Sequence, residues 1–230
     1  MTEQKYHGAV PENIEAVIFD IDGTVWDILP IYFQAVSEVL KKYDIPPVKE
    51  DFLIAQLKYG ESFKKIITHT TSPTTAEIDP TDLLVDVKSM FRYLEEETVQ
   101  PYPDVLGLFS ALKIRNKKIG LATGRLSPRE RIRKICIRMA INNYIDAVTS
   151  QLYVQHRKPA PDLIIDCAAN LEVPIDRCII VGDTRNDILA ANNAGGTAIG
   201  VLTGLDSYDE MMMAEPFAII NNVKDILLYM

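Results

Sequence analysis

The chain has little cysteine, no excess of positive charge and no long apolar run, and each shortage removes a class of protein. Its three cysteines, Cys136, Cys167 and Cys178, are an odd number at spacings that suit neither a zinc site nor a disulfide framework. Cys167 and Cys178 fall in apolar stretches, where a thiol reads as a small buried hydrophobe. With 24 basic and 32 acidic residues the formal charge is −8, which argues against nucleic-acid binding through a general basic surface. No apolar run approaches the roughly 18 to 20 residues needed to cross a bilayer, so no membrane partner is expected. Met1 to Gly8 is polar and lacks the apolar core of a signal peptide, from which a cytoplasmic location is expected. Internal repeats, low-complexity tracts and a glycine-rich dinucleotide fingerprint are absent too. A hydrophobic content of 47% with 24% charged residues remains, the balance of an ordinary globular protein long enough at 230 residues to bury a core.

What is present is a series of short apolar strands that end on polar chemistry. Ala16-Val17-Ile18-Phe19 carries β-branched and aromatic residues and is followed by Gly23, which fits a buried strand better than a helix. Asp20 sits where that strand ends, and Asp22 follows on the turn. Ligands of open α/β sheets bind outside the carboxyl ends of the strands, so a carboxylate there faces a crevice. Two carboxylates this close need a cation or a shared proton, and a hard divalent metal is the natural partner, Mg²⁺ first. A simple strand-ending turn would use the same residues.

Three further stretches repeat the design. Ile119-Gly120-Leu121-Ala122 runs into Thr123 and Gly124, where a hydroxyl and the backbone N–H groups of a helix start could meet a phosphate; Ser127, with Pro128 at the first helical position, reads as a cap. Lys158 stands ahead of Pro159 and Pro161 in a stiffened loop that can aim it, although a lone lysine is more often solvated. Cys178-Ile179-Ile180-Val181-Gly182 ends on Asp183, with Asp187 about one helical turn on. These two acids either share a pocket or serve as an N-cap and a first-turn acid. The basic run from Arg125 to Arg138 is interleaved with Ile132, Ile135 and Ile137 and reads mostly as the wet face of an amphipathic helix. Arg125, two residues beyond Thr123, is the exception and would pair with either a substrate anion or a structural partner.

Taken in order, Asp20-Ile21-Asp22-Gly23-Thr24, Thr123, Lys158 in Lys-Pro-Ala-Pro-Asp, and Gly182-Asp183-Thr184-Arg185-Asn186-Asp187 resemble the four motifs of the haloacid dehalogenase superfamily. The resemblance covers nearly the whole chain, and Ala190 to Gly196 with Ile199 to Gly204 resembles the phosphoglycolate phosphatase-like branch. It implies a mechanism. Asp20 is the nucleophile that forms an aspartyl-phosphate, Asp22 the acid and base, and Mg²⁺ is held by Asp20, the Asp22 backbone carbonyl and Asp183. Asp187 orients the metal site or Lys158, while Lys158 and Thr123 offset charge on the phosphoryl oxygens. Asp22 separates a phosphatase from the dehalogenases, which lack an acid at that position. The sequence departs from the family at Asp104 and at His156-Arg157, where relatives often have glycine, and at Trp26, where an aliphatic residue is usual.

Roughly a hundred residues separate Thr24 from Thr123, too many for a structureless loop in a compact domain. Helical patterns over Ile31 to Tyr43, Glu50 to Tyr59, Ser62 to Thr68 and Leu83 to Glu97 predict an inserted all-helical cap at 27–101, hinged near Trp26-Asp27 and Val99 to Pro103. Residues 1–26 and 102–230 would form a discontinuous α/β core with a doubly wound parallel sheet, its strands near Ile119, Ala147, Ile179, Ala198 and Ala218. Closure of the cap would shield the intermediate from water. Lys58, Tyr59 and Gly60 end a cap helix; the resemblance puts a substrate loop there, so Tyr59 and Gly60 join Thr123, Gly124, Arg125 and Lys158 as candidate substrate contacts, and a plain glycine helix stop is the other reading. The expected activity is Mg²⁺-dependent hydrolysis of a small phosphorylated metabolite, phosphoglycolate-like or a sugar phosphate monoester. A β-phosphoglucomutase-like enzyme, a pyrophosphatase, and a catalytically idle module that keeps the fold are the alternatives.

Overall fold

A computed structural model describes residues 13–58 and 79–230. They form two compact units, one running to Asp27 and resuming at Gln100, the other covering Ile28–Val99.

The described residues of the second unit are helical: α1 spans Leu29–Lys42, α2 Glu50–Lys58 and α3 Pro80–Thr98. Apolar residues at helical spacing explain the packing of α1 on α3, since Tyr32, Val36, Val39 and Leu40 of the first meet Leu83 and Val87 of the second in one buried cluster. Asp79 starts α3 by accepting a hydrogen bond from the Thr81 N–H at 2.8 Å, with Pro80 in the first turn, where a missing N–H costs nothing. The helix expected at Ser62 to Thr68 lies outside the described residues.

The first unit is an α/β core. Its strands are β1 (Ala16–Phe19), β2 (Lys118–Thr123), β3 (Ala147–Ser150), β4 (Cys178–Gly182), β5 (Thr197–Val201) and β6 (Ala218–Ile220). They make one sheet in the order β3-β2-β1-β4-β5-β6, every neighbouring pair parallel. Phe19 is level with Leu121 on one side and Val181 on the other. Every residue of β1, β3, β4 and β6 is buried, as a parallel sheet covered on both faces requires, and this is why these strands read as continuous apolar runs. The connecting helices are α4 (Val105–Ile114), α5 (Arg129–Arg138), α6 (Asp162–Leu171), α7 (Arg185–Ala194) and the short α8 (Tyr208–Met212). Helix α6 packs on β1, β2 and β3, and α7 on β4 and β5. Cys167 and Cys178 belong to the core cluster with Ile18, Leu163, Ile180 and Ile188, and burial pushes all three free thiols up to about 12.

Chain direction sets the site. From β1 the chain winds out through β2 and β3, then crosses back so that β4, β5 and β6 extend the other edge. Strand order therefore reverses between β1 and β4, and outside the carboxyl ends of those two strands is where open α/β sheets bind their ligands. Among the described residues no helix is long and apolar enough to cross a membrane.

Two helix starts differ from the sequence expectation. Ser127 does not cap α5: Pro128 occupies the N-cap without a side-chain bond, and the Ser127 carbonyl instead accepts from the Ser150 hydroxyl at 2.6 Å. Nor does Asp183 cap α7. Thr184 does, in a capping box with Asp187, whose Oδ2 accepts from the Thr184 N–H at 3.0 Å. This leaves the Asp183 side chain to turn elsewhere.

Candidate functional site

Three strand ends and one loop converge. Asp20 follows β1 directly and is held at the sheet end because its N–H donates to Val181 O at 2.8 Å, one step beyond the β1–β4 register. Lys158 comes from the loop before α6, where its peptide bond to Pro159 is cis. Its ammonium has three protons and finds three acceptors: Asp20 Oδ1 at 2.7 Å, Asp187 Oδ1 at 2.6 Å and Ala122 O at 3.1 Å. One carboxylate directly follows β1 and the other lies at the start of α7, and the carbonyl lies in β2. The side chains of Lys158, Asp20 and Asp187 are 10%, 11% and 5% exposed, so this is a buried charge cluster and not a surface pair.

Asp183 completes the group from the end of β4. Its Oδ1 accepts from the Thr24 hydroxyl at 3.3 Å and its Oδ2 from the Leu205 N–H at 2.9 Å. Room for that carboxylate comes from two glycines: Gly23, at φ +80°, and Gly204, where a Cβ would overlap the Asp183 carboxylate. The loop carrying Gly204 is tied down as well, because the Thr203 hydroxyl donates to Gly23 O at 2.6 Å and the Tyr102 hydroxyl donates to Thr203 O at 2.8 Å.

Burial, and after it the negative charge gathered there, moves these groups away from their ordinary titration. Burial, reinforced by the charges of Asp187 and Asp22 and opposed by Lys158, pushes the Asp20 carboxyl up to about 7. Burial, then the charges of Asp187 and Asp20, pushes Asp183 well above the usual carboxylate range against the Leu205 N–H. Burial by itself would lower Lys158, but Asp187 and Asp20 outweigh it and hold the ammonium above its ordinary value.

Thr123 ends β2 almost fully buried, and its Oγ1 accepts from the Arg125 N–H at 3.2 Å, which leaves the hydroxyl proton to point onward. Gly124 beside it is exposed, with open space where a side chain would stand. Arg125, a candidate for a substrate anion, has its guanidinium on Asp22: Nε donates to Oδ2 and Nη2 to Oδ1. Trp26 Nε1 also donates to Asp22 Oδ1, at 3.1 Å. His156 is exposed and sits with Asp162 Oδ2 at 2.9 Å from Nδ1, which together with the His156 N–H holds the Asp162 carboxyl below its ordinary range. Tyr59, Gly60 and the side chain of Lys58 lie outside the described residues.

Sequence reasoning missed the parts that lock the site: Thr24, Thr203, Gly204, Tyr102 and the Trp26–Asp22 bond. The last had a signal in its spacing of four residues across a glycine turn.

Among the described residues no group of three or more His, Cys, Asp or Glu side chains is arranged to hold a metal ion. The donors at the strand ends are two carboxylates, Asp20 and Asp183, and Asp20 Oδ2 accepts nothing from the described residues. Hard oxygens carrying more negative charge than one lysine offsets suit a hard divalent cation. Arg125 and Trp26 occupy the Asp22 carboxylate, and it is the family resemblance that adds the Asp22 backbone carbonyl to such a set.

The model of the haloacid dehalogenase-like hydrolase family matches residues 17–201. The phosphoglycolate phosphatase of Escherichia coli (strain K12) is 26% identical, over 94% of this chain and 92% of that protein. A predicted phosphoglycolate phosphatase from Haemophilus somnus 129PT has the same fold, with a TM-score of 0.78 at 21% identity over 94% of this chain and 97% of that one. The β-phosphoglucomutase of Clostridium difficile also shares it, with a TM-score of 0.67 at 20% identity over 93% of each chain.

Proposed function

The chain belongs to the haloacid dehalogenase-like hydrolases, and from that premise we propose that it is a Mg²⁺-dependent phosphatase acting on a small phosphorylated metabolite through an aspartyl-phosphate. The observation that carries the reading is the Lys158 ammonium bridging Asp20 and Asp187 where the strand order reverses. A lysine with every proton engaged keeps the Asp20 carboxylate fixed and aimed, and its charge lies within reach of any phosphoryl group that approaches Asp20.

In the first half-reaction an Asp20 carboxylate oxygen attacks phosphorus in line, the bond from phosphorus to the leaving oxygen breaks, and that oxygen takes a proton from Asp22. In the second, water attacks the aspartyl-phosphate and gives its proton to Asp22 as the phosphorus–Asp20 bond breaks, releasing orthophosphate and regenerating the carboxylate. Thr123 donates its hydroxyl proton to a phosphoryl oxygen, with Gly124 leaving the approach open. The Asp20 and Asp183 carboxylates and the Asp22 carbonyl would hold Mg²⁺, which when bound neutralises charge on the phosphoryl oxygens. Asp187 acts through Lys158, whose position it sets.

The E. coli relative makes phosphoglycolate the first substrate to try, and the helical unit inserted between Asp27 and Gln100, with Tyr59 and Gly60 in it, is where substrate choice would reside. The test is phosphate release with and without Mg²⁺ across phosphoglycolate, sugar phosphates, nucleotides and pyrophosphate. Release from one compound that vanishes in Asp20→Asn is the expected result. Undiminished release by that variant removes Asp20 as nucleophile, and no release from any compound together with bisphosphate-primed isomerisation of a sugar phosphate replaces the phosphatase by a mutase.

A further inference from the structure

Asp22 sits apart from the Lys158 cluster, and its surroundings are unlike those of Asp20. Two guanidinium nitrogens of Arg125 donate one to each carboxylate oxygen, a parallel arrangement that fixes the plane of the carboxylate as well as its position. The Trp26 indole N–H donates to Oδ1 at 3.1 Å, and the Arg125 guanidinium carbon lies 5.9 Å from the centre of the Trp26 ring, within cation–π range.

Both donors are themselves anchored. Trp26 is fully buried, its N–H donates to Ile21 O at 3.2 Å, and its carbonyl accepts from Gly23 N at 3.0 Å. Arg125 grows from the turn whose N–H bonds Thr123, and its side chain is only 17% exposed. Tying the turn after β1 to the turn after β2 would need one bond. Three donors instead converge on a single carboxylate, and two of them share a ring–cation contact that resists their separate movement.

We propose that Arg125 and Trp26 are positioning residues that hold the Asp22 carboxylate in the orientation from which it exchanges a proton with the leaving oxygen, an inference that rests on the acid–base role given to Asp22 above. Arg125 then has a task other than pairing with a substrate anion. The two tasks leave different kinetic signatures. The need for a proton grows with the basicity of the leaving oxygen: an alkoxide requires it and p-nitrophenolate hardly does. A misplaced Asp22 therefore slows turnover of alkyl esters and spares the aryl ester, whereas a lost contact to a second anionic group raises KM for phosphoglycolate alone, the one ester that carries a carboxylate besides its phosphate.

The experiment measures kcat and KM of the 230-residue chain with Mg²⁺ on glycerol 2-phosphate, phosphoglycolate and p-nitrophenyl phosphate, for wild type, Arg125→Gln, Arg125→Lys, Trp26→Phe, Asp22→Asn and the Asp22→Asn/Arg125→Gln pair. We expect Arg125→Gln to lower kcat at least about tenfold on both alkyl esters and less than about threefold on the aryl ester. Arg125→Lys should recover part of the loss, Trp26→Phe should show the same pattern more weakly, and Arg125→Gln should add nothing in the Asp22→Asn background. Where Arg125→Gln fails to fold by circular dichroism, Trp26→Phe and Arg125→Lys carry the test. Equal losses on all three esters, a KM rise confined to phosphoglycolate, or faster alkyl turnover in Arg125→Gln each overturn the proposal. A wild type that hydrolyses none of the three esters overturns the phosphatase reading and this one with it, and an Asp22→Asn variant indifferent to the leaving group overturns the acid–base premise.

Discussion

Lys158 in the core unit and Lys42 in the helical unit each donate to an aspartate from a distant part of the chain. Around Lys42 the solvent is close: its side chain is 62% exposed, its partner Asp86 also accepts from the Tyr43 hydroxyl at 2.8 Å, and those two hydrogen bonds hold the Asp86 carboxyl below its ordinary range. Around Lys158 the solvent is excluded, two carboxylates share one ammonium, and Asp20 is pushed up to about 7. The Lys42 pair stays at the surface of the helical unit, where Glu95 is the buried charge and α1 meets α3 along an apolar stripe. The core unit gathers charge inside, where dispersed charges would be cheaper. Charge gathered against stability at the point where strand order reverses is the kind of place where functional sites concentrate.

The contrast can be broken by removing the two lysines. Lys158→Met leaves Asp20 and Asp187 facing each other in a shielded site, and urea unfolding at neutral pH should show a loss of about 3–5 kcal/mol, with phosphate release below detection. A loss no larger than that of a surface substitution would mean that water already reaches the cluster. Next in size, Leu83→Ala removes a fully buried side chain from the α1–α3 stripe and should cost about 2–5 kcal/mol in the same measurement, which tests whether apolar packing holds the helical unit.

A smaller effect sharpens the comparison through pH. The folded Asp20 carboxyl titrates at about 7 against an ordinary 3.8, so between those values the folded chain binds more protons than the unfolded one. Its contribution to stability is fully present below the ordinary value and is lost as pH rises through about 7. Thermal melts without divalent cation should therefore show Tm falling from pH 4 to pH 7, and Asp20→Asn should flatten the fall; a variant with an unchanged slope would assign the dependence to other groups. At the small end, Lys42→Met should melt with the wild type, because an exposed pair gains little that solvent does not already supply.

The strands were legible because a sheet covered on both faces asks for continuous apolar runs, and Ala16–Phe19 and Cys178–Gly182 supply them. The polar residues after them were legible for a related reason, since Asp20, Thr123 and Asp183 each stand where such a run stops. Caps were less so. Ser127 beside Pro128 and Asp183 before a helix both satisfy the local pattern of a cap, yet Pro128 and Thr184 hold those positions. Local pattern permits several residues to cap, and the choice falls to whichever side chain has no better partner: Asp183 has Thr24 and Leu205.

By itself the sequence determined the α/β class, the order of the apolar strands along the chain and the polar residues at which those strands stop. Those follow from period, composition and what precedes or follows each strand, all within a few residues. Only the tertiary structure decided which of those groups meet. Lys158 reaches Asp20 across 138 residues, and Arg125 takes Asp22 across 103. A charged side chain selects its partner from the loops that the assembled sheet brings beside it, and that neighbourhood is set by strand order and not by any pattern along the chain.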